Sequence, residues 1–163
     1  MAMTRLIVSA IIINDKGEVF LQKRYKPKAS PAYLDVWEIP AGGVDDGEDV
    51  AIACLREVKE ECGLDVQIVD SQGLTYLADN KDVVKAFNPF MCQQMVETEH
   101  GLGWVGFAFV CRVVGGELKM QTEEAKDPTW VTIEQLREML KKPEEFFSLQ
   151  VPVLQKFTEL FLL

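Results

Sequence analysis

The chain has 163 residues, of which 48% are hydrophobic and 26% charged, and its formal net charge is −9 at pH 7. This length fits one domain, which we predict over residues 1–163. No basic stretch offsets the acidic balance, which argues against a nucleic-acid polymer as partner, because such polymers are bound through Lys and Arg. No apolar run approaches the length of a membrane span, so we expect no membrane partner.

The four cysteines, Cys54, Cys62, Cys92 and Cys111, lack the spacing of metal ligands, and His100 is the only histidine. The single histidine excludes a multi-histidine zinc site, and the sequence shows no nucleophilic cysteine or serine arrangement for a catalytic triad. Free thiols are typical of a reducing compartment, so we predict a cytoplasmic protein.

The predicted strands follow alternating and β-branched segments of the chain. We predict strands over residues 4–13, 18–24, 37–39, 104–114 and around 130–132, with one or two more in 65–78. The first two strands are joined by Asp15-Lys16-Gly17, a hairpin turn sequence. Residues 25–36 and 41–47 are predicted as loops, and residues 80–103 form the longest irregular stretch.

Two helical segments are predicted near the C-terminus. Thr132 and Gln135 form a capping box for a helix over 133–141. A last helical segment covers roughly 144–162 and is interrupted or restarted at Pro152. Together with a helix before residue 64, this order indicates a mixed sheet with helices on its faces, and the residues alone support an α/β or α+β domain.

The first predicted helix starts near residue 48 or 49 and ends at Gly63, and it carries three glutamates within five residues: Glu57, Glu60 and Glu61. Residues three and four apart share a face of a helix, so the three carboxylates project from one side. Like charges repel there unless a cation lies between them. Mg²⁺ or Mn²⁺, which prefer oxygen ligands, are the expected occupants.

The surrounding residues complete a longer pattern. It runs Gly42, five residues, Glu48, seven residues, and then Arg56-Glu57-Val58-x-Glu60-Glu61-x-Gly63-Leu64. The pattern resembles the signature of the Nudix hydrolases at every fixed position. That resemblance implies an α/β/α sandwich with a mixed β-sheet, and metal-dependent hydrolysis of a diphosphate linkage in a small nucleotide substrate.

The resemblance also implies roles for individual residues. Glu57, Glu60 and Glu61 match glutamates that bind metal, and the one matching Glu57 often also orients or deprotonates water. Arg56 matches an arginine that holds this glutamate by hydrogen bonding. A further ligand is implied at the Ala41 carbonyl, and structural roles are implied for Gly42, Glu48 and Gly63.

A second catalytic carboxylate is expected from a distant loop. Glu124 lies six residues before Trp130, in a segment similar to a late pattern of the family. Glu123, Glu97 and Glu99 are its competitors, and a solvated loop residue is the alternative interpretation of Glu124.

Substrate contacts are expected from two further segments. Arg24 belongs to the densest basic cluster, with Lys23, Lys26 and Lys28, and a planar guanidinium suits phosphate. The alternative is a solvated loop. In residues 80–103, Phe87 and Phe90 are candidates for stacking on the base or the distal moiety of the substrate. The alternative there is a β-hairpin packed into the core or a dimer interface, so a homodimer stays possible.

Substrate class is left open between two possibilities. The turn Pro40-Ala41-Gly42-Gly43 resembles that of ADP-ribose pyrophosphatases, but residues 77–82 lack the proline typical of that subgroup. The length suits the MutT-like nucleoside triphosphate pyrophosphatases equally well. The sequence therefore predicts cleavage of a nucleoside diphosphate linked to another moiety, either a nucleotide sugar or a nucleoside triphosphate. A nucleotide-sensing domain without turnover is the alternative function.

Overall fold

A computed structural model describes residues 4–26, 31–69, 73–97, 99, 103–120 and 123–160. These residues contain ten strands and three α-helices. The strands are Arg5–Ile13 (β1), Val19–Arg24 (β2), Trp37–Glu38 (β3), Ala41–Gly43 (β4), Leu64–Ile68 (β5), Leu74–Leu77 (β6), Val83–Ala86 (β7), Met91–Gln94 (β8), Trp104–Gly116 (β9) and Ala125–Val131 (β10). The helices are Val50–Cys62 (α1), Ile133–Met139 (α2) and Val151–Leu160 (α3).

Eight of the ten described strands form one mixed sheet whose central order is β10-β2-β1-β9-β5. β1 and β9 run parallel, from Arg5 opposite Trp104 to Ile13 opposite Arg112. The other pairs in this sheet are antiparallel, including β3 on β2, β4 on β1 and β8 on β9. β6 and β7 pair only with each other among the described strands.

The sheet separates two hydrophobic cores, because successive side chains of a strand point to opposite faces. Ile11 and Leu21 belong to the core shared with α2 and α3, which includes Leu136 and Phe157. Their neighbours Ala10, Ile12 and Phe20 belong to the core shared with α1, which includes Val58 and Cys62. Helices on both faces of a mixed sheet confirm the predicted α/β/α sandwich.

The first helix lies where the sequence predicts it. Asp49 is its N-cap and accepts hydrogen bonds from the backbone N–H groups of Ala51 and Ile52. It ends at Gly63, which has a left-handed conformation (φ 76°) that costs glycine little. The predicted capping box between Thr132 and Gln135 is also present at the start of α2.

Two segments differ from the predicted elements. The predicted loop 41–47 begins with β4, whose Ala-Gly-Gly sequence has no alternation and is held extended by pairing with β1. Residues 80–103 contain β7 and β8, so the segment is not one irregular stretch. His100 lies outside the described residues.

The predicted helical segment from residue 144 contains two short 3-10 turns, Pro143–Glu145 and Ser148–Gln150, before α3 begins next to Pro152. None of the helices in the described ranges is both long and apolar enough to cross a membrane.

Candidate active site

The loop before α1 and the middle of α1 meet at Gly42 and Glu57. Gly42 lies opposite Val8 in the pairing of β4 with β1. A Cβ atom at Gly42 would overlap the carboxylate of Glu57. Glycine is therefore required for this carboxylate to lie against the β4 backbone, one residue after Ala41.

Arg56 joins the helix to the preceding loop. Its Nε donates to Glu48 Oε1 at 2.7 Å and its Nη2 donates to Glu48 Oε2 at 2.8 Å, a bidentate pair. The same Nη2 donates to the Gly43 carbonyl at 3.0 Å, and Nη1 donates to Glu57 Oε1 at 2.6 Å. A longer contact of 3.3 Å reaches Glu60. The guanidinium thus fixes one side of the Glu57 carboxylate.

The pKa values of Glu48 and Glu57, which both accept hydrogen bonds from Arg56, shift in opposite directions. Hydrogen bonding to Arg56 lowers the pKa of Glu48 to about 2. Burial raises the pKa of Glu57, against the opposing effect of Arg56, and repulsion from Glu60 adds to the rise. Glu48 is therefore a permanent anion that anchors the arginine, whereas Glu57 gains protons more readily and suits proton transfer.

Glu61 is a buried carboxylate on the inner side of the same helix. It is 5% exposed and accepts a hydrogen bond from Gln22 Nε2 at 2.9 Å. Burial, and then repulsion from Glu38, raise its pKa to about 8. Glu38 is also buried, accepts from the same Gln22 Nε2 at 3.2 Å, and has a pKa raised by burial.

Glu38 and Gln22 are site residues that sequence reasoning did not single out. They lie opposite each other in the pairing of β2 with β3. Glu38 lies between the apolar residues Trp37 and Ile39, and Gln22 directly follows the apolar run Val19-Phe20-Leu21. A polar residue at such a position is the signal in the sequence that could have drawn attention to them, since a buried polar group needs a partner.

Arg24 lies in the interior, where its Nη1 donates to Glu38 Oε2 at 2.9 Å. Its guanidinium carbon is 4.4 Å from the centre of the Phe147 ring. With the side chain 7% exposed, this arrangement argues against the predicted contact between Arg24 and substrate phosphates. The residue instead balances one of the two buried carboxylates.

Lys26 and Glu124 lie beside this group of carboxylates. Lys26 Nζ is 2.9 Å from Glu124 Oε2, and the Tyr25 N–H donates to the Glu124 carbonyl at 2.7 Å. The Lys26 ammonium is close enough to lower the pKa of Glu38, Glu57 and Glu61. This places Glu124, through Lys26, on the same side of the molecule as the helix carboxylates. Its predicted catalytic role stays a prediction.

The two phenylalanines proposed for substrate stacking are partly buried and pack against the two cores. Phe87 packs edge-on against Phe107, with ring centres 5.4 Å apart, on the core beneath α1. Phe90 packs on Phe157 of α3, with centres 6.1 Å apart, on the opposite core. Because the rings contact other aromatic rings, the structure favours the alternative that this part of residues 80–103 is structural.

The second half of that segment lines a cleft of about 680 Å³. Its wall consists of Tyr33, Gln93, Gln94, Met95, Val96, Glu97, Glu99, Ser148, Leu149 and Pro152. A chain of contacts links the cleft to the carboxylates: Tyr33 packs on Phe147, which contacts Arg24. The Gln93 Oε1 atom is buried there and accepts no hydrogen bond from the residues that the structure describes.

The chemistry of the carboxylates fits a hard divalent cation. In the described ranges, no three Asp, Glu, His or Cys side chains converge closely enough to bind a metal ion as they stand. Glu57 is bonded to Arg56 and Glu61 to Gln22, while Glu60 is largely exposed. However, the donors are all oxygens, and buried like charges that raise one another's pKa are those that a cation would stabilise.

The fold and this arrangement of glutamates define a class of protein. Residues 3–154 match the family model described as the NUDIX domain. The match covers most of the chain, so the chain belongs to the Nudix hydrolase family. The family resemblance inferred from the helix motif is confirmed.

One curated relative and two solved structures illustrate how similar individual proteins are to this chain. An RNA pyrophosphohydrolase of Caulobacter vibrioides is 33% identical over 119 residues, which are 71% of this chain and 62% of the relative. A MutT protein structure from Methanosarcina mazei has a TM-score of 0.67 at 21% identity and covers 97% of this chain and 95% of its own. A binary complex of a Caenorhabditis elegans Ap4A hydrolase has a TM-score of 0.58 at 19% identity, with 96% and 97% covered.

The curated relatives are longer than the segments that match this chain. The matched segments span between 30% and 62% of the length of the curated relatives. The solved structures share the fold at low identity.

Proposed function

We propose that the protein is a metal-dependent pyrophosphohydrolase that cleaves a nucleoside diphosphate linked to another moiety. The observation that carries the proposal is the pair of partly or fully buried carboxylates, Glu57 and Glu61. Glu57 is held by Arg56 against Gly42, and Glu61 lies behind it beside Glu38. Buried like charges are costly in a domain whose only task is to bind, which disfavours a silent nucleotide sensor.

In the proposed reaction, the oxygen of a water forms a bond to one phosphorus and the bridging P–O bond of the anhydride breaks. A nucleotide sugar gives a nucleoside monophosphate and a sugar phosphate, and a nucleoside triphosphate gives a nucleoside monophosphate and pyrophosphate. Glu57 accepts the proton of the water, since its raised pKa brings it nearer the working range of a base. Arg56 keeps the carboxylate in position for that transfer.

Glu57, Glu60, Glu61 and the Ala41 carbonyl are the residues that would hold Mg²⁺ or Mn²⁺. A divalent cation supplies positive charge that offsets the phosphate oxygens and makes water easier to deprotonate. Glu124 is the proposed additional carboxylate, because its partner Lys26 lies within electrostatic reach of the helix glutamates.

Lys26 is the proposed contact to the substrate phosphates, in the place first expected of Arg24. Its side chain is 19% exposed, whereas that of Arg24 is 7% exposed and bonded to Glu38. The nucleoside or the distal moiety is proposed to lie in the cleft beside Tyr33 and Gln93, where aromatic and amide groups suit a base. A phosphate contact at Lys26 and a base in the cleft would place the anhydride near Glu57.

A triphosphorylated RNA 5′ end is a second candidate substrate. Seven of the curated relatives found by sequence are named RNA pyrophosphohydrolase. The net charge of −9 argues against a long polyanion, but an end group needs few phosphate contacts. The same catalytic carboxylates would serve both substrates.

One panel tests these alternatives. Purified protein with Mg²⁺ is given nucleotide sugars, dinucleoside polyphosphates, nucleoside triphosphates and a short 5′-triphosphorylated RNA. Phosphate is measured with and without added inorganic pyrophosphatase, and with an added phosphatase to reveal released monophosphates. Turnover of a nucleotide that is lost in Glu57→Gln supports the proposal. Tight nucleotide binding without turnover of any member of the panel would instead establish the sensing function.

A further inference from the structure

The segment between β3 and β4 changes its strand partner. β3 pairs with β2, whereas β4 pairs with β1, and Ile39 and Pro40 lie between the two pairings. Pro40 has no N–H to donate, and its carbonyl accepts a hydrogen bond from the Ala10 N–H at 2.9 Å. Ile39 is 0% exposed, so its N–H and its carbonyl need partners from the protein rather than from water.

The side-chain amide of Gln150 bonds to both backbone groups of Ile39. The Ile39 N–H donates to Gln150 Oε1 at 2.8 Å, and Gln150 Nε2 donates to the Ile39 carbonyl at 3.0 Å. This planar donor and acceptor pair is the same that a peptide group of a neighbouring strand would offer. Gln150 is itself 1% exposed, so the two bonds are shielded from competing water.

The residues just before Gln150 hold its amide in position. The Phe147 N–H donates to the Trp37 carbonyl at 2.8 Å, and Trp37 also forms a parallel bridge with Phe146. The Gln150 N–H donates to the Phe147 carbonyl at 2.9 Å and so closes the 3-10 turn between them. This part of the chain therefore lies along β3, and the Gln150 amide extends the contact to Ile39.

Ile39 lies between two groups of the candidate site. Glu38 directly precedes it and shares the Gln22 amide with Glu61. The carbonyl of Ala41, which is the proposed backbone ligand of the cation, follows two residues later. A shift of the Ile39 backbone would therefore move a buried carboxylate on one side and this carbonyl on the other.

We propose that Gln150 is a positioning residue that holds Glu38 and the Ala41 carbonyl in place through the backbone of Ile39. The role rests on the proposed function, because it assumes that a cation binds beside the helix glutamates. Without the amide, the N–H and the carbonyl of Ile39 would be buried without partners, a state that the backbone relieves by moving. The ligand carbonyl would move with it.

Gln150→Met tests this role, because methionine keeps the length and bulk of the side chain but has no amide. Val153→Ala is the matched control, since Val153 is buried in the same core three positions further along. Its truncation destabilises that core and leaves the Gln150 amide intact. Mn²⁺ affinity is measured from the electron paramagnetic resonance signal of free Mn²⁺, and thermal unfolding is followed for both variants.

We expect Gln150→Met to bind Mn²⁺ about tenfold more weakly than the wild type, an effect typical of residues that support metal ligands. Its kcat on the best substrate of the panel should fall by a similar factor, with little change in KM. Val153→Ala should unfold at a lower temperature but keep the Mn²⁺ affinity and the kcat of the wild type.

A folded Gln150→Met with the Mn²⁺ affinity of the wild type overturns the proposal, and so does an equal loss of affinity in Val153→Ala. If Gln150→Met does not fold, Gln150→Asn takes its place. Asparagine keeps the amide but is one methylene too short to reach both backbone groups, so the same contrast with Val153→Ala is expected.

The Mn²⁺ titration also separates the role of Gln150 from the proposed hydrolysis. A wild type that binds Mn²⁺ but hydrolyses no member of the panel contradicts the proposed function, while the Mn²⁺ affinities of the two variants still decide the role of Gln150. A wild type that binds no Mn²⁺ overturns both.

Discussion

Gly42 and the carboxylate of Glu57 share a space that has no room for a Cβ atom. The next glycine along the chain, Gly43, has nothing within 4 Å of the position that its Cβ would occupy. The two residues are neighbours in β4, yet only the first limits where Glu57 can lie. The candidate site thus depends on the backbone of β4 as much as on the charges of α1.

Gly42→Ala should inactivate the protein while leaving it folded. The new methyl group meets the flexible end of Glu57, so the carboxylate moves away and the fold is retained. A displacement of about 1 Å in a catalytic group can reduce the rate by on the order of a hundredfold. The check is kcat on the best substrate of the panel, together with the unfolding temperature. Gly43→Ala is the matched control, and equal activity of both variants would contradict the role given to Gly42.

The local part of this site could be predicted from the sequence. Glu57, Glu60, Glu61 and Arg56 lie within six residues of one helix, where spacing alone determines which side chains are neighbours. The caps of α1 and α2 were equally local. These features were predictable because they depend on contacts between residues that are close in the chain.

The part of the site that the sequence did not predict depends on contacts between residues that are distant in the chain. Gln22 reaches Glu61, 39 positions away, only because β2 passes beneath α1. Likewise, an aromatic side chain such as Phe87 suits both a core and a stacking surface, so its residue type does not decide between them. The pairing of β4 with β1 holds Gly42 against Glu57. The Ala-Gly-Gly sequence of β4 has no alternating pattern from which this pairing could have been predicted.

Arg56→Lys should lower kcat by about tenfold to a hundredfold with little change in KM, as found for groups that orient a ligand residue. Lysine keeps the charge but loses the planar fork that contacts Glu48, Glu57 and the Gly43 carbonyl at once. Steady-state kinetics measure kcat and KM separately. Arg112→Lys, at an exposed arginine of β9, is the control for the substitution itself. A change confined to KM would place Arg56 on the substrate.

Glu61→Gln should change how stability depends on pH in protein freed of metal by a chelator. The folded state raises the pKa of Glu61 from 4.5 to about 8, so the folded state binds the proton more tightly than the unfolded state does. Its contribution is therefore favourable below pH 4.5 and is lost as the pH rises toward 8.

Wild-type protein should lose stability across this interval, and Glu61→Gln should lose less. Some loss remains in the variant, because burial also raises the pKa of Glu38. Chemical denaturation at several pH values measures the difference, with Glu60→Gln as the exposed control. Parallel pH profiles for the wild type and Glu61→Gln would show that Glu61 is ionised in the folded protein.

Lys26→Met should weaken substrate binding. A hydrogen bond to a charged group contributes about 1.5 kcal/mol or more, so KM should rise by about tenfold while kcat changes less. Lys23→Met is the control, because the Lys23 ammonium donates to the Asp35 carbonyl and lies over the Trp37 ring. Equal KM values for the two variants would remove Lys26 from the phosphate site and reopen the prediction made for Arg24.

Phe87→Leu and Phe90→Leu should destabilise the protein and leave its substrate preference unchanged. Each loses edge-on packing with another ring, on Phe107 or on Phe157, at a cost of about 1 kcal/mol. Gln93→Leu, in the wall of the cleft, should instead alter the preference among adenine, guanine and pyrimidine substrates, because it removes one of the polar side chains that line the cleft. Ratios of kcat/KM and unfolding temperatures for the three variants separate these effects. A change of base preference in either phenylalanine variant, with unaltered stability, would restore the stacking role that the sequence suggested.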